Sequence, residues 1–110
     1  MANLPPVVVR TTPEAGAIDV DPATTEIRAA FSKPMIVGNY SWVRTGEETF
    51  PETTGKPHFE KDERTCVLPV KLEPGRTYVI WLNQGKYSSF MDKGNRPAVP
   101  YLLVFQTREK

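Results

Sequence analysis

Apolar and polar residues alternate with a period of two along most of this chain. From Glu26 to Phe31 the pattern sets Ile27, Ala29 and Phe31 on one side. From Thr65 to Leu72 it sets Cys66, Leu68, Val70 and Leu72 together, and from Arg76 to Asn83 it sets Tyr78, Ile80 and Leu82 together. Tyr101 to Thr107 does the same with Tyr101, Leu103 and Phe105. Such alternation predicts strands with one face in a core. Val7-Val8-Val9-Arg10 and Ser41-Trp42-Val43-Arg44 add two short strand candidates. A helical reading fails. The longest proline-free interval, Gly75 to Arg96, alternates in its first half and is interrupted by Gly85 and Gly94. One helical turn near Ser32-Met35 fits, and no helix beyond two turns is expected. Short strands with turn chemistry between them predict an all-β sandwich of about seven strands.

Two local features sharpen this picture. Pro69 lies in the middle of a strand and has no N–H for a ladder, so an exposed edge or a bulge is expected beside it. Gly55 to Glu60, the charged run Lys61-Asp62-Glu63-Arg64, and Thr65 onward read as a hairpin with a polar loop. Eleven prolines against seven glycines, within 110 residues, suit short extended segments with rigid corners.

Fourteen basic and thirteen acidic residues leave a net charge of +1, which provides no field for nucleic acid or an anionic membrane. No stretch approaches the ~20 apolar residues of a membrane span. The single cysteine excludes an internal disulfide. The start lacks the charged and apolar regions of a secretion signal. The chain is therefore expected to be cytoplasmic or to be one piece, residues 1–110, of a longer protein.

Five ordered motifs resemble the bacterial Ig-like domain of the S-layer (SbsA) type. They are Pro6-Val7-Val8-Val9 with Thr12-Pro13-Glu14-Ala15-Gly16-Ala17, and Phe31-Ser32-Lys33-Pro34-Met35. Leu72-Glu73-Pro74-Gly75-Arg76-Thr77-Tyr78, Asp92-Lys93-Gly94-Asn95 and Phe105-Gln106-Thr107 complete the set. The resemblance implies an Ig-like or fibronectin-III-like Greek-key sandwich. It also implies a non-catalytic, cofactor-free module of an extracellular or cell-envelope protein, acting as spacer or docking surface. In that frame Phe31, Leu72, Pro74, Gly75, Tyr78, Asp92, Gly94 and Asn95 are architecture. Pro74 presets a turn, Gly75 accepts a positive φ, and Tyr78 can bury its ring while its hydroxyl reaches the corner backbone. Asp92 and Asn95 can bond their own turn, with Gly94 relieving its steric demand.

Candidate chemistry is sparse. His58 stands alone and reads as a surface residue. Cys66 shares the inward period and reads as a small core hydrophobe. Asp19 and Asp21, with Asp62 and Glu63 or Asp92 and Asn95, could contribute oxygens to calcium but read better as turn residues. Glu47, Glu48 and Glu52 read as a solvated loop. The aromatic pattern is more informative. If Tyr78, Ile80, Leu103 and Phe105 face inward, Val79, Trp81, Leu102 and Val104 face outward. The resemblance makes their two strands neighbours. These four, joined by Trp42, are the expected interaction patch, for a neighbouring domain, another protein, a second copy or this chain's own Ile36–Glu52 segment. The alternative is a polysaccharide-binding module that stacks sugar on Tyr40, Trp42, Trp81, Tyr87 or Phe90; it requires a planar exposed row of rings.

Overall fold

The computed structural model describes residues 4–46 and 49–109, which form two facing sheets without a helix. The elements are β1 (Val8–Thr12), β2 (Glu26–Phe31), β3 (Trp42–Arg44), β4 (Glu52–Thr53), β5 (His58–Phe59), β6 (Thr65–Lys71), β7 (Thr77–Leu82) and β8 (Tyr101–Gln106). One sheet runs β1-β2-β6-β4, with β5 also on β6, and the other runs β3-β7-β8. All the strand pairs are antiparallel.

The alternation places the core as the sequence predicts. Ile27, Ala29 and Phe31 from β2 and Cys66, Leu68 and Val70 from β6 meet Tyr78, Ile80 and Leu82 from β7 and Leu103 and Phe105 from β8. Met35, Phe90 and Ala98, from the long connections, close one end of that core. Of the remaining inward candidates, Leu72, just past β6, is buried in the core, and Tyr101 is half-buried and packs on its margin.

Eight strands stand where about seven were expected, because one edge is broken in two. β5 pairs with Val67 and Cys66, and β4 pairs with Lys71 and Val70. The four residues 54–57 between them therefore oppose only Leu68 and Pro69. The break is where a ladder bond would need the N–H that Pro69 lacks. Thr54 N–H still donates to Pro69 O at 3.1 Å, so the carbonyl side of Pro69 remains paired.

The helical turn near Ser32-Met35 does not form. Ser32 N–H donates to Val7 O at 2.9 Å and Met35 N–H to Glu63 O at 2.8 Å, so the backbone donors are committed across the chain rather than along it. The charged hairpin forms between β5 and β6. Asp62 Oδ1 accepts from the N–H groups of Arg64 and Thr65 at 2.9 and 3.0 Å, and Glu63 takes the left-handed conformation at φ 61°.

β1 leads into a change of sheet. After pairing with β2 the chain turns through Pro13 and Gly16, and residues 16–20 then run parallel to β8, with a bridge between Val20 and Thr107. The first segment thus contributes to both sheets.

Candidate functional site

The outer face of β3-β7-β8 is built by register. Val79 pairs with Val104, and Trp81 pairs with Leu102 on one side and Val43 on the other. Their neighbours Tyr78, Ile80 and Leu103 are buried, so these five point away from the core. Leu102 is 41% exposed, and Val43, Val79, Trp81 and Val104 are half-buried among themselves. An apolar outer surface departs from the polar-out habit of antiparallel sheets.

Trp42 does not join that face. It pairs with Leu82, an inward residue, and its ring meets Phe90 edge-on at 5.7 Å. Period two sends the next residue, Val43, outward in its place. The 36–52 segment contributes Val43 to the face through β3 and also runs beside it. Thr49 O accepts from Val79 N–H at 2.9 Å, which places this chain along the edge of β7, in the plane of the sheet.

Three of the five aromatic candidates for a sugar platform share one groove, and two lie elsewhere. Phe90 is buried, and Trp81 belongs to the outer face. Tyr40, Trp42 and Tyr87 line an open groove of about 480 Å³ with Phe50, Arg44 and Ser89. Tyr40 stacks on Phe59 at 5.8 Å, and the Arg44 guanidinium covers Phe50 at 4.9 Å. Only Tyr87, at 55%, presents a largely exposed ring.

Polar residues at the two ends of the sandwich hold the connections in place. At the β6–β7 corner Gly75 has φ 66° and Glu73 N–H donates to Tyr78 Oη at 2.8 Å. Thr107 Oγ1 donates to Glu73 O at 2.6 Å and accepts from Arg76 N–H at 2.9 Å, tying the corner to the end of β8. Tyr78→Phe is expected to lower stability by about 0.5–1.5 kcal/mol, the net worth of one hydrogen bond. A urea midpoint equal to the parent's would show that the corner does not depend on the hydroxyl.

At the opposite end Asp92 is the hub. Its Oδ1 accepts from the N–H groups of Gly94 and Arg96, both at 2.9 Å, and its Oδ2 meets Lys33 Nζ at 2.9 Å and Arg96 Nη1 at 3.2 Å. The left-handed residue of this turn is Asn95, at φ 66°, rather than Gly94. Gly94 serves differently: a Cβ there would lie 2.7 Å from the Arg96 guanidinium.

The Arg96 N–H, then the Lys33 ammonium, hold the Asp92 carboxyl well below the usual carboxylate range despite its burial. A group depressed in this way stabilises the fold above its unfolded pKa, about 3.9, and loses that contribution as pH falls below it toward the folded value. Denaturant midpoints should therefore fall below about pH 4, and Asp92→Asn should flatten that decline. An acid limb of unchanged slope in the variant would remove Asp92 from this role. Asp62, depressed chiefly by the Arg64 N–H, contributes in the same direction.

Asn83 was not singled out by the sequence. It is fully buried at φ 67°, and its Nδ2 donates to Phe90 O at 2.9 Å and Ala98 O at 3.1 Å, while its Oδ1 accepts from Phe90 N–H at 3.1 Å. An asparagine at a strand end, just before Gln84-Gly85, is the signal that could have found it, because asparagine tolerates positive φ and bonds nearby backbone.

The remaining candidates have structural surroundings. Cys66 is buried, and burial pushes its thiol up to about 12. His58 is exposed, 3.8 Å from Glu60 Oε2. Asp21 caps Ala23 N–H at 2.8 Å and meets Arg108 at 3.3 Å, and Glu63 meets Lys93 at 3.0 Å. Asp19 is exposed, and Glu52 lies exposed in β4; Glu47 and Glu48 fall outside the described residues. Among the described residues no three His, Cys, Asp or Glu side chains are grouped to hold a metal.

Two packed antiparallel sheets, a chain that crosses between them after β1, and a tyrosine-closed corner define an Ig-like β-sandwich. A family model described as a bacterial Ig-like domain matches residues 2–107, and the chain belongs to that family. No curated protein matches it in sequence. Among solved structures it is similar to domains 1-6 of the surface layer protein SbsC, with TM-score 0.59 and 20% identity over 99% of this chain. A crystal structure of the S-layer protein rSbsC is similar at TM-score 0.59 and 19% identity, again over 99% of this chain. Both are SbsC, where the sequence motifs had suggested the SbsA type. The chain spans only 14% of the length of each.

Proposed function

We propose that this domain is a non-catalytic structural module of a larger bacterial surface protein, extracellular or in the cell envelope. In that protein the outer face of β3-β7-β8 packs against a neighbouring domain of the same chain. The observation that carries the reading is the cross-strand set Val43, Val79, Trp81, Leu102 and Val104, an apolar cluster on the outer side of the sheet in which Leu102 is exposed and the other four are half-buried. Its likeness to one-seventh of an S-layer chain supports a modular setting. A buried tryptophan commonly dominates such contacts, so Trp81 would carry the largest share. The sugar-binding alternative is weaker, because only Tyr87 among its rings is largely exposed.

The test uses a Trp42→Phe background, in which Trp81 is the only emitting tryptophan. Its emission should shift to the blue when the domain is extended by the flanking sequence of its parent protein. Trp81→Thr with Val104→Thr should then weaken the docking, seen as separate melting of the two domains. Unchanged Trp81 emission in the longer chain would refute the docking role. A concentration-dependent increase in sedimentation of the isolated domain, abolished by the same pair of substitutions, would instead identify a second copy as the partner.

A further inference from the structure

The two described ends of the chain leave from opposite poles of the sandwich. Leu4 lies at the Asp92 pole: Lys33 Nζ donates to Leu4 O at 2.8 Å and also meets Asp92. Glu109 lies at the β6–β7 corner, its side chain 3.4 Å from where a Cβ of Gly75 would sit, and Gly75 N–H donates to Arg108 O at 3.0 Å. β2 runs from the second pole to the first, since it starts after the Asp21–Arg108 pair and ends at Phe31, just before Lys33.

Between those ends lies a parallel ladder. Gly16 N–H donates to Val104 O at 2.7 Å, and Gln106 N–H donates to Ala17 O at 2.8 Å. Val20 N–H donates to Gln106 O at 3.1 Å, and Arg108 N–H donates to Val20 O at 2.9 Å. These bonds join the segment arriving from the first pole to the strand leaving at the second. Tension entering at Leu4 runs along β1 and through Pro13 into residues 16–20, while tension at Glu109 pulls β8 the other way. The two segments are then drawn past each other along their length. The bonds of a parallel pair are evenly spaced and bridge the strands at a slant, so sliding loads all four together. Force applied across the pair at one end would break them singly.

We propose that residues 16–20 and 104–108 form a mechanical clamp, and that the domain bears tension transmitted end to end along its parent chain. This rests on the reading of the domain as a module within a longer protein, and adds that the module resists stretching. The side chains strengthen the arrangement: Ala17 and Val20 pack on the core, so the clamp is closed on one side to competing water. Forced unfolding follows the unfolding barrier rather than equilibrium stability, so clamp strength is separable from the denaturant midpoint.

The experiment is single-molecule stretching of the domain in two geometries. In the first, handles are attached through the ends at Leu4 and Glu109. In the second they are attached at Ala23→Cys and Glu109, both at the same end of the parallel pair, so that the clamp is peeled. The unfolding force is expected to be severalfold higher in the first geometry. Val20→Pro deletes one clamp donor, and Val20→Ala removes the same packing but retains the N–H. The proline variant should unfold at clearly lower end-to-end force than the alanine variant. Equal forces in the two geometries would overturn the clamp even if Val20→Pro fails to fold, as would equal forces for the two folded variants. Neither outcome touches the docking of the outer face, which the Trp81 emission measures independently.

Discussion

Phe31→Ala is expected to leave little folded protein. Phe31 is the last residue of β2, almost fully buried, with its ring 5.1 Å from Phe90 and 6.4 Å from Phe59. It binds β2 to the long connection between β7 and β8 through Phe90, and to the broken edge strand β5 through Phe59. Truncating a buried phenylalanine costs about 3–5 kcal/mol. A domain is held by only about 5–15 kcal/mol, so that loss takes a large share. Its backbone N–H, which donates to Arg64 O at 2.8 Å, would remain, so the effect isolates the ring. Urea denaturation followed by far-UV circular dichroism is the measurement. Phe31→Leu should fold, with a loss near 1 kcal/mol from altered shape. A parent-like midpoint for the alanine variant would show that the ring is not part of the core.

Asn83→Ala is the second large effect. The side chain is the partner for Phe90 N–H and Ala98 O, both buried. Phe90 O keeps another donor, since Ala98 N–H reaches it at 2.8 Å. Each buried group left without a partner costs about 1–3 kcal/mol, so the expected loss for the two is about 2–6 kcal/mol, with added strain for alanine at positive φ. Asn83→Gly separates the contributions: it relieves the backbone strain but lacks the same hydrogen bonds. If the side-chain bonds dominate, both variants lose nearly equal stability, and the Phe90 amide exchanges faster with solvent in each. Retention of parent-like protection at Phe90 in Asn83→Ala would refute this role.

The strands with one buried face were legible because their pattern is local. β2 spans the residues that its alternation marks, and β6, β7 and β8 differ only at their ends. The β6–β7 corner was legible for a similar reason, since Pro74, Gly75 and Tyr78 have conformational demands that any context must meet. Asn83 was not legible because its partners lie seven and fifteen positions away, on a segment with no periodic pattern. The broken edge was half legible. Pro69 announced an interruption, but a proline does not say which neighbouring strand yields.

The candidate face divides along the same line. That Val79, Trp81, Leu102 and Val104 share a side follows from period two once two inward sets are known. That Val43 completes the set, and Trp42 does not, depends on the register of β3 on β7, where a one-residue slip would exchange them. Register is set by the pairing of the whole sheet, and a strand of three residues is too short to dictate its own.

By itself, then, the order of residues determined that the chain is a β-sandwich with these inward side chains, because side-chain alternation and turn chemistry act over a few bonds. Tertiary structure alone decided which donors meet across distant segments. Lys33 and Arg96 meet on Asp92, the Asn83 amide reaches two carbonyls, and residues 16–20 lie parallel to β8. Those pairings bring together groups up to about ninety positions apart, as Gly16 and Val104 are. Hydrogen bonds are short-ranged and directional, so they form only after the packing of both sheets has carried their partners to within about 3 Å.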